Sequence, residues 1–220
     1  MVVDPEQDRS IERRLLEAAI DQFGEKGLEG ASTRAIAAAA GTTMSSITYH
    51  YGGKEGLYLA TARWIADQMG ERMGPSLASS EEELSHQRPP REACAKAVLA
   101  TLDRFLEAIV RPESTPWARF ILREQMEPTA AFEILYGGVM GRLIHHVAAL
   151  VERIGEGRWT GAEARLKTLA ILGQALVFRL ARAALLRTTG WADIDADGLA
   201  AIRHVVHAHT QLVLGEGVAR

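Results

Sequence analysis

The segment from Thr33 to Lys54 concentrates the hydroxyl, aromatic and basic side chains that could contact a nucleic acid. It reads as two short helices joined at Gly41, and the second helix carries small polar and aromatic residues. In a helix-turn-helix, two such helices meet at a short turn and the second enters the major groove of DNA. The spacing therefore predicts a helix-turn-helix and DNA binding.

The polar residues of this segment divide by the DNA groups that they suit. Serine and threonine hydroxyls hydrogen-bond to several base edges, and threonine or methionine can contact a thymine methyl group. Basic and aromatic side chains suit phosphate oxygens, as does a lysine at a helix N-terminus. The expected base-facing residues are Met44, Ser45, Ser46 and Thr48, and the expected phosphate contacts are Thr33, Arg34, Tyr49, His50 and Lys54.

Composition places the chain among folded cytoplasmic proteins. Its 220 residues are 47% hydrophobic and 24% charged, which is ordinary for a globular protein with a substantial core. The only cysteine, Cys94, excludes an internal disulfide and suits a reducing cytoplasm. No run of about 18 uninterrupted apolar residues and no signal sequence are found, so we expect no membrane span and no secretion.

The charge distribution bears on how DNA would be bound. The net charge of −3 argues against non-specific binding to nucleic acids. However, residues 30–54 contain no acidic side chain, while Arg34 and Lys54 lie among them. Binding should therefore depend on specific contacts and on dimerisation more than on a large positive field.

Helical periodicity runs through nearly the whole chain, and alternating β-branched runs do not occur, so we expect an all-α fold. Residues 1–9 should form a flexible arm, residues 10–54 a three-helix DNA-binding domain, and residues 55–220 a second helical domain. Glycine and proline signals place helix ends at Gly27, Gly41, Gly52 and Gly74-Pro75. The predicted helices span 10–26, 33–40, 44–51, 54–73, 91–110, 117–126, 128–154, 161–188 and 195–214.

Residues 10–60 resemble the DNA-binding domain of TetR-family transcriptional regulators. The resemblance runs through Ala18-Ala19-Ile20, Phe23, Gly27, Thr33-Arg34-Ala35-Ile36-Ala37, Ala40-Gly41, Tyr49-His50-Tyr51 and Lys54. It implies a homodimer that binds a palindromic double-stranded DNA operator and is a repressor released by a small-molecule effector. The implied DNA contacts are Thr33, Arg34, Thr43, Met44, Ser45, Ser46, Thr48, Tyr49, His50 and Lys54.

The C-terminal part is similar to a subgroup of that family, the CecR (YbiH) type. The similarity covers residues 117–215 and includes Phe120–Gln125, Pro128–Phe132, Phe178–Leu180 and Leu186–Trp191. It implies that residues 55–220 bind the effector and join the subunits.

Four polar residues in apolar surroundings are the candidate effector anchors: Arg123, Glu124, Gln174 and Arg179. They could hold the polar groups of a largely apolar effector, or they could pair with one another or with a partner subunit, because buried charges need partners. Apolar residues at helical spacing could line the same pocket or form plain core. These residues are Trp64, Trp117, Phe120, Phe132, Tyr136 and Phe178.

The helix expected at 161–188 is apolar around most of its circumference, so both of its sides must be covered. One side can meet the subunit's own core, and the other needs a partner copy. Packing this helix and the last helix against their symmetry mates would give a four-helix interface. The expected interface residues are Leu169, Gly173, Leu176, Leu180, Ile202, Val206, His209 and Val213.

Other functions find less support in the sequence. His204 and His207 share a helix face and could ligate zinc, but no cysteine or carboxylate set completes a site, so we expect no metal and no cofactor. An enzyme is not expected, because there is no glycine-rich phosphate loop and no nucleophile elbow. The remaining alternative is a helical protein-interaction module that does not bind DNA.

Overall fold

The computed structural model describes residues 5–85, 89–111 and 114–215, and all regular structure within them is helical. The expected arm lies partly outside these residues, and the first helix already begins at Pro5. The helices are α1 (Pro5–Gly30), α2 (Thr33–Ala39), α3 (Met44–Tyr51), α4 (Lys54–Ser85), α5 (Arg91–Val110), α6 (Thr115–Met126), α7 (Ala130–Leu135), α8 (Gly141–Gly155), α9 (Gly161–Leu180), α10 (Arg182–Thr189) and α11 (Ala196–Val213). A π-helical turn, Tyr136–Met140, lies between α7 and α8.

The ends of the first three helices follow from local sequence. Gly27 interrupts α1 with a φ of 69°. This backbone conformation favours glycine, because a residue with a side chain would be strained there. The Ser32 hydroxyl accepts a hydrogen bond from the Ala35 amide and caps α2. Gly52 adopts φ 73° and ends α3. The predicted breaks at Gly27 and Gly52 are confirmed, although the chain is again helical from Leu28 to Gly30.

The predicted end of α4 at Gly74-Pro75 is wrong, because the helix continues to Ser85. Proline in a helix interior removes one backbone hydrogen bond and crowds the preceding turn. Met73 and Leu77 flank Pro75, and both are buried, at 3% and 1% exposure. Burial of these two side chains offsets the cost of the proline and keeps the chain helical.

Two predicted helices are each divided in the structure. The helix expected at 128–154 is interrupted by the π-helical turn, where Gly138 leaves the helical conformation at φ −83° and ψ −146°. The helix expected at 161–188 bends by 73° at Ala181, which separates α9 from α10. Both breaks leave the hydrophobic periodicity intact, so periodicity alone did not reveal them.

The chain divides into two compact units. The first contains the described residues up to Gly70 together with 114–140, and the second contains 71–111 and 141–215. The core of the first unit joins the three N-terminal helices to the start of α4 and to α6 and α7. Its largest fully buried side chains are Leu15, Phe23, Ile36, Ile47, Leu57, Ile65, Phe120 and Leu135.

The second unit is built around α5, α8, α9 and α11. Helix α9 begins with a capping box, in which the Thr160 hydroxyl accepts from the Glu163 amide and the Glu163 carboxylate accepts from the Thr160 amide. Residues 130–155 are long and apolar enough to cross a membrane by length and composition, but half of that stretch is buried inside the protein. The α8 part buries Leu143, Val147 and Leu150, as a core helix does.

Candidate nucleic-acid interface

Helix α3 presents one polar and aromatic face to solvent. Met44 and Tyr49 are 52% and 77% exposed, and Ser45 and Thr48 are exposed beside them. On the opposite side, Ile47 is only 2% exposed and lies in the core of the first unit. The helix is therefore held by one aliphatic anchor while its outer face is free to meet the edges of bases.

Hydroxyl groups are linked to one another at the start of α3. The Oγ1 of Thr43 lies 2.7 Å from the Oγ of Ser45, and the Oγ1 of Thr42 lies 2.8 Å from the Oγ of Ser46. Thr43 occupies the N-cap position without a side-chain capping bond, since its hydroxyl is used in this network. Ser46 is half-buried, so Ser45 is the serine that offers its hydroxyl outward.

His50 and Tyr51 fasten the end of α3 to α1. His50 is 7% exposed in its side chain, and its Nδ1 lies 3.3 Å from a carboxylate oxygen of Glu12. The Tyr51 hydroxyl donates to the Glu12 carbonyl oxygen at 3.2 Å. Burial, with a smaller effect of the Glu12 charge, raises the pKa of Tyr51 to about 12. The structure thus places His50, expected as a phosphate contact, towards α1 rather than outward.

Lys54 stands at the N-terminus of α4, where the helix dipole favours an anion. Its Nζ donates to the carbonyl oxygen of Glu29 at 2.9 Å, in the last turn of α1 after the kink at Gly27. An ammonium group has three donors, so this bond fixes the side chain and leaves donors for a phosphate. Arg34 is exposed and Thr33 half-exposed at the start of α2.

Glycine is required at position 56, which the sequence did not indicate. A Cβ at this position would overlap the carbonyl oxygen of Tyr51 and lie 2.9 Å from its carbonyl carbon. The first turn of α4 therefore touches the last turn of α3, and only a residue without a side chain permits the contact. The sequence feature that could have indicated this contact is a glycine in the first turn of a helix whose other residues favour helix formation.

The expected effector residues of the first unit are mostly partnered within it. Trp117, Phe120 and Glu124 are buried at 8%, 0% and 1% exposure. The Glu124 carboxylate accepts hydrogen bonds from the Tyr58 hydroxyl at 2.5 Å and from the Thr129 amide at 3.0 Å. Burial, followed by the bond to Glu124, raises the pKa of Tyr58. Glu124 therefore serves the packing of this unit.

The other candidates form aromatic pairs or belong to the second unit. Trp64 meets Trp117 edge-on at 5.7 Å, and Phe132 stacks on Tyr136 at 5.8 Å. In the second unit, Gln174 donates to the Thr210 hydroxyl at 2.6 Å. Also in the second unit, Arg179 is buried and Phe178 is half-buried.

The candidate dimer residues separate into exposed and buried sets. Leu169, Leu176 and Leu180 are 53%, 37% and 53% exposed, and a side chain at Gly173 would meet no other atom within 4 Å. Ile202 and Val206, in contrast, are buried in their own subunit, and Val213 is half-buried. The exposed stripe of α11 consists instead of Ala201, Val205, Ala208, His209 and Leu212.

The histidines of α11 are engaged in ion pairs or exposed. The Nε2 of His207 lies 2.7 Å from a carboxylate oxygen of Asp103, and the Nε of Arg203 lies 2.9 Å from the same oxygen as an ion pair. His204 is exposed. Among the described residues no group of three or more histidine, cysteine, aspartate or glutamate side chains is arranged to hold a metal ion.

Comparisons with known proteins agree over both parts of the chain. Residues 15–61 match the bacterial regulatory proteins of the tetR family, and residues 90–217 match the C-terminal domain of the HTH-type transcriptional dual regulator CecR. The chain is 36% identical over 207 residues to the HTH-type transcriptional dual regulator CecR of Shigella flexneri, covering 92% of this chain and 90% of the relative. It is 38% identical over 74 residues, 34% of each chain, to the regulatory protein RaaS of Mycobacterium tuberculosis.

Solved structures share the fold at lower identity. A putative TetR-family regulator from Mesorhizobium loti has a TM-score of 0.62 at 16% identity, covering 95% of this chain and 97% of its own. A TetR-family member from Streptomyces coelicolor A3 has a TM-score of 0.59 at 24% identity, covering 93% and 91%.

Gly56→Ala should destabilise the first unit by about 3 kcal/mol and abolish DNA binding, because a methyl group forces α3 and α4 apart. The matched control is Gly70→Ala in the same helix, where an added Cβ meets no atom within 4 Å. That control should gain about 0.5–1 kcal/mol from better helix propensity. Urea unfolding with DNA titration measures both, and equal stabilities of the two variants would contradict the close approach.

Lys54→Ala should weaken binding to every duplex and lower the slope of log affinity against log salt by about 0.9, the share of one phosphate contact. The control is Lys26→Ala, which removes the same charge from an exposed side chain on α1 whose Nζ donates to the side-chain oxygen of Gln22. Fluorescence anisotropy at several salt concentrations gives both slopes. A lower affinity with an unchanged slope would mean that Lys54 acts only through Glu29.

Proposed function

The chain belongs to the TetR family of bacterial regulatory proteins and carries a CecR-type C-terminal domain, and we propose that it is a dimeric repressor released by an effector. The family consists of transcriptional regulators that bind DNA. The observation that supports the proposal best is the exposed face of α3, which carries Met44, Ser45, Thr48 and Tyr49 on a helix anchored through Ile47.

In this proposal, residues 10–54 read the operator. Met44, Ser45 and Thr48 contact base edges in the major groove, since hydroxyls and a flexible methyl group match several bases. Thr43 and Ser46 hold the start of the helix in place through their hydroxyl network. The phosphate contacts are Thr33, Arg34, Tyr49 and Lys54, and His50 positions α3 through Glu12.

Residues 55–220 are proposed to join the subunits through α9 and α11. The stripe on α9 runs through Leu166, Leu169, Gly173, Leu176 and Leu180, all of them exposed. A continuous apolar surface of this kind on a monomer is a mark of an interface. A second copy packed on it by two-fold symmetry gives a four-helix contact, and two heads then face half-sites about 34–36 Å apart or a multiple of that.

The effector is proposed to be a small, largely apolar molecule. Half-buried Trp64, Phe132 and Tyr136 in the first unit offer aromatic surface for it. An effector that changes the separation of the two heads lowers DNA affinity. By linkage, DNA must weaken effector binding by the same factor. The proposed site of action is the cytoplasm, where the operator lies.

The experiment for this function is a mobility-shift titration with the DNA upstream of the protein's own gene. The protein should retard that fragment at salt concentrations where an unrelated duplex of equal length is free. A panel of apolar small molecules, compared with charged metabolites of similar size, should include members that release the DNA. Retardation of neither duplex would instead favour the helical interaction module, and equal retardation of both would contradict specific binding to an operator.

Leu176→Arg should convert the protein to monomers and lower operator affinity by at least a hundredfold, although no DNA-reading residue is changed. A buried unpaired guanidinium at the centre of an apolar interface costs several kcal/mol. The control, Glu152→Gln, changes the net charge by the same one unit at an exposed position of α8. Sedimentation with anisotropy measures both properties, and a dimeric Leu176→Arg protein would contradict the interface.

A further inference from the structure

Helices α1 and α6 of the first unit meet along a strip of α1 that has no side chains. A Cβ at Gly24 would lie 3.2 Å from the Pro116 carbonyl oxygen and 3.3 Å from the Arg119 Cβ. One turn later, a Cβ at Gly27 would lie 2.9 Å from the Arg123 Nη1. The two glycines let the backbone of α1 approach α6, and Arg123 fills the space at the second one.

The Arg123 guanidinium lies where α1 is interrupted. Gly27 leaves the helical conformation at φ 69° and ψ −178°. The Arg123 Nη2 donates to the carbonyl oxygen of Glu25, two residues before Gly27, at 3.3 Å. Carbonyl groups at the end of a helical run carry partial negative charge, so a cation is favourable there. The guanidinium thus fills the space beside Gly27 and also interacts favourably with the carbonyl groups at the kink.

The position of Gly27 determines where the DNA-reading helices begin. The Ala31 amide donates to the Gly27 carbonyl oxygen at 3.2 Å, and Ala31 is 5% exposed. Ser32 follows immediately and caps α2. From the other side, Lys54 donates to the carbonyl oxygen of Glu29. Arg123 of α6 and Lys54 of α4 therefore hold the end of α1 on either side of Gly27, directly before the connection to α2.

The next residue of α6 fixes Arg123 in turn. Glu124 is 1% exposed and is bonded to Tyr58 of α4 and to Thr129 ahead of α7. Side chains of successive helix residues point about 100° apart. Arg123 therefore contacts α1, while Glu124 on the same turn of α6 contacts α4 and the start of α7. A displacement of α6 would therefore move the Arg123 side chain, and with it the kink of α1, because the adjacent Glu124 holds this turn of α6 in place.

We propose that Arg123 is a positioning residue for DNA recognition, which sets the placement of α2 and α3 by seating its guanidinium in the space left by Gly27. The inference rests on α3 as the DNA-reading element. Stability alone does not account for the arrangement, because within the described part of the chain the buried Nε of Arg123 has no hydrogen-bond partner. A buried donor without a partner carries a desolvation cost, although the Arg123 residue as a whole is only half-buried.

The test compares Arg123→Met with Arg119→Met, which removes the same charge from an exposed arginine one turn earlier on α6. Arg123→Met should lower operator affinity about tenfold, within the usual range of coupling between sites, while Arg119→Met should change it less than twofold. The salt slope should stay at the wild-type value in both, because Arg123 contacts no phosphate. Hydrogen exchange should speed up selectively in residues 25–40 of Arg123→Met.

Two further variants keep the test decisive if Arg123→Met folds poorly. Arg123→Lys should recover part of the affinity, since an ammonium group can still reach the Glu25 carbonyl. Gly27→Ala displaces the guanidinium and also strains the backbone at φ 69°, so it should lose at least as much affinity as Arg123→Met and combine with Arg123→Lys less than additively.

Several results would overturn the positioning role while leaving the proposed function intact. One is wild-type operator binding together with equal affinities of the Arg123→Met and Arg119→Met proteins. Another is a salt slope that falls with Arg123→Met, which would make Arg123 a direct phosphate contact. Additive effects of Gly27→Ala and Arg123→Lys would show that the two residues act separately. Absence of operator binding by the wild type would instead refute the proposed function itself.

Discussion

The shortness of α3 is the constraint on which the rest of the structure depends. An isolated helix of eight residues is not stable in water, because nucleation costs more than so few hydrogen bonds return. Neighbouring elements must therefore supply its conformation and its orientation. Ile47 places it in the core of the first unit, Tyr51 bonds it to α1, and Gly56 lets α4 close against its last turn. The outer face, with Met44, Thr48 and Tyr49, stays exposed to solvent.

This arrangement suits an acidic protein that binds an acidic polymer. With a net charge of −3, the chain gains little from a general attraction to phosphate. Affinity for DNA must therefore come from well-placed side chains, and a dimer would present each of them twice. Rigid placement then matters more than the number of cations. The hydroxyl network of Thr43 with Ser45, the bond from Lys54 to Glu29, and Arg123 beside Gly27 each fix a group before DNA arrives. Fixed groups lose less entropy on binding.

Local signals predicted the fold where local chemistry decides it. The ends at Gly27 and Gly52 and the cap at Ser32 follow from the backbone and side-chain chemistry of single residues. The continuation of α4 through Pro75, and the breaks at Gly138 and Ala181, depend on which side chains are buried elsewhere. Sequence periodicity does not contain that information.

The candidate sites show the same division. The outward residues of α3 could be predicted, because one aliphatic position fixes which side faces the core. His50 could not, since its inward direction depends on Glu12 in another helix. On α11 both sides are apolar, so Ile202 and Val206 were expected at the partner, although Val205 and Leu212 are the exposed residues. Glu124 was a candidate either for an effector contact or for a structural pair, and its carboxylate is bonded to Tyr58 within its own unit.

Selection of operator sequences from a random duplex pool, with the wild type and with Ser45→Ala, tests whether the outer face of α3 reads DNA. The wild type should select a two-fold symmetric sequence. Ser45→Ala should lose preference at one position, in both half-sites equally, while its affinity for non-specific DNA stays unchanged. Identical selected sequences for the two proteins, or no selection by the wild type, would contradict the claim that the outer face of α3 reads DNA.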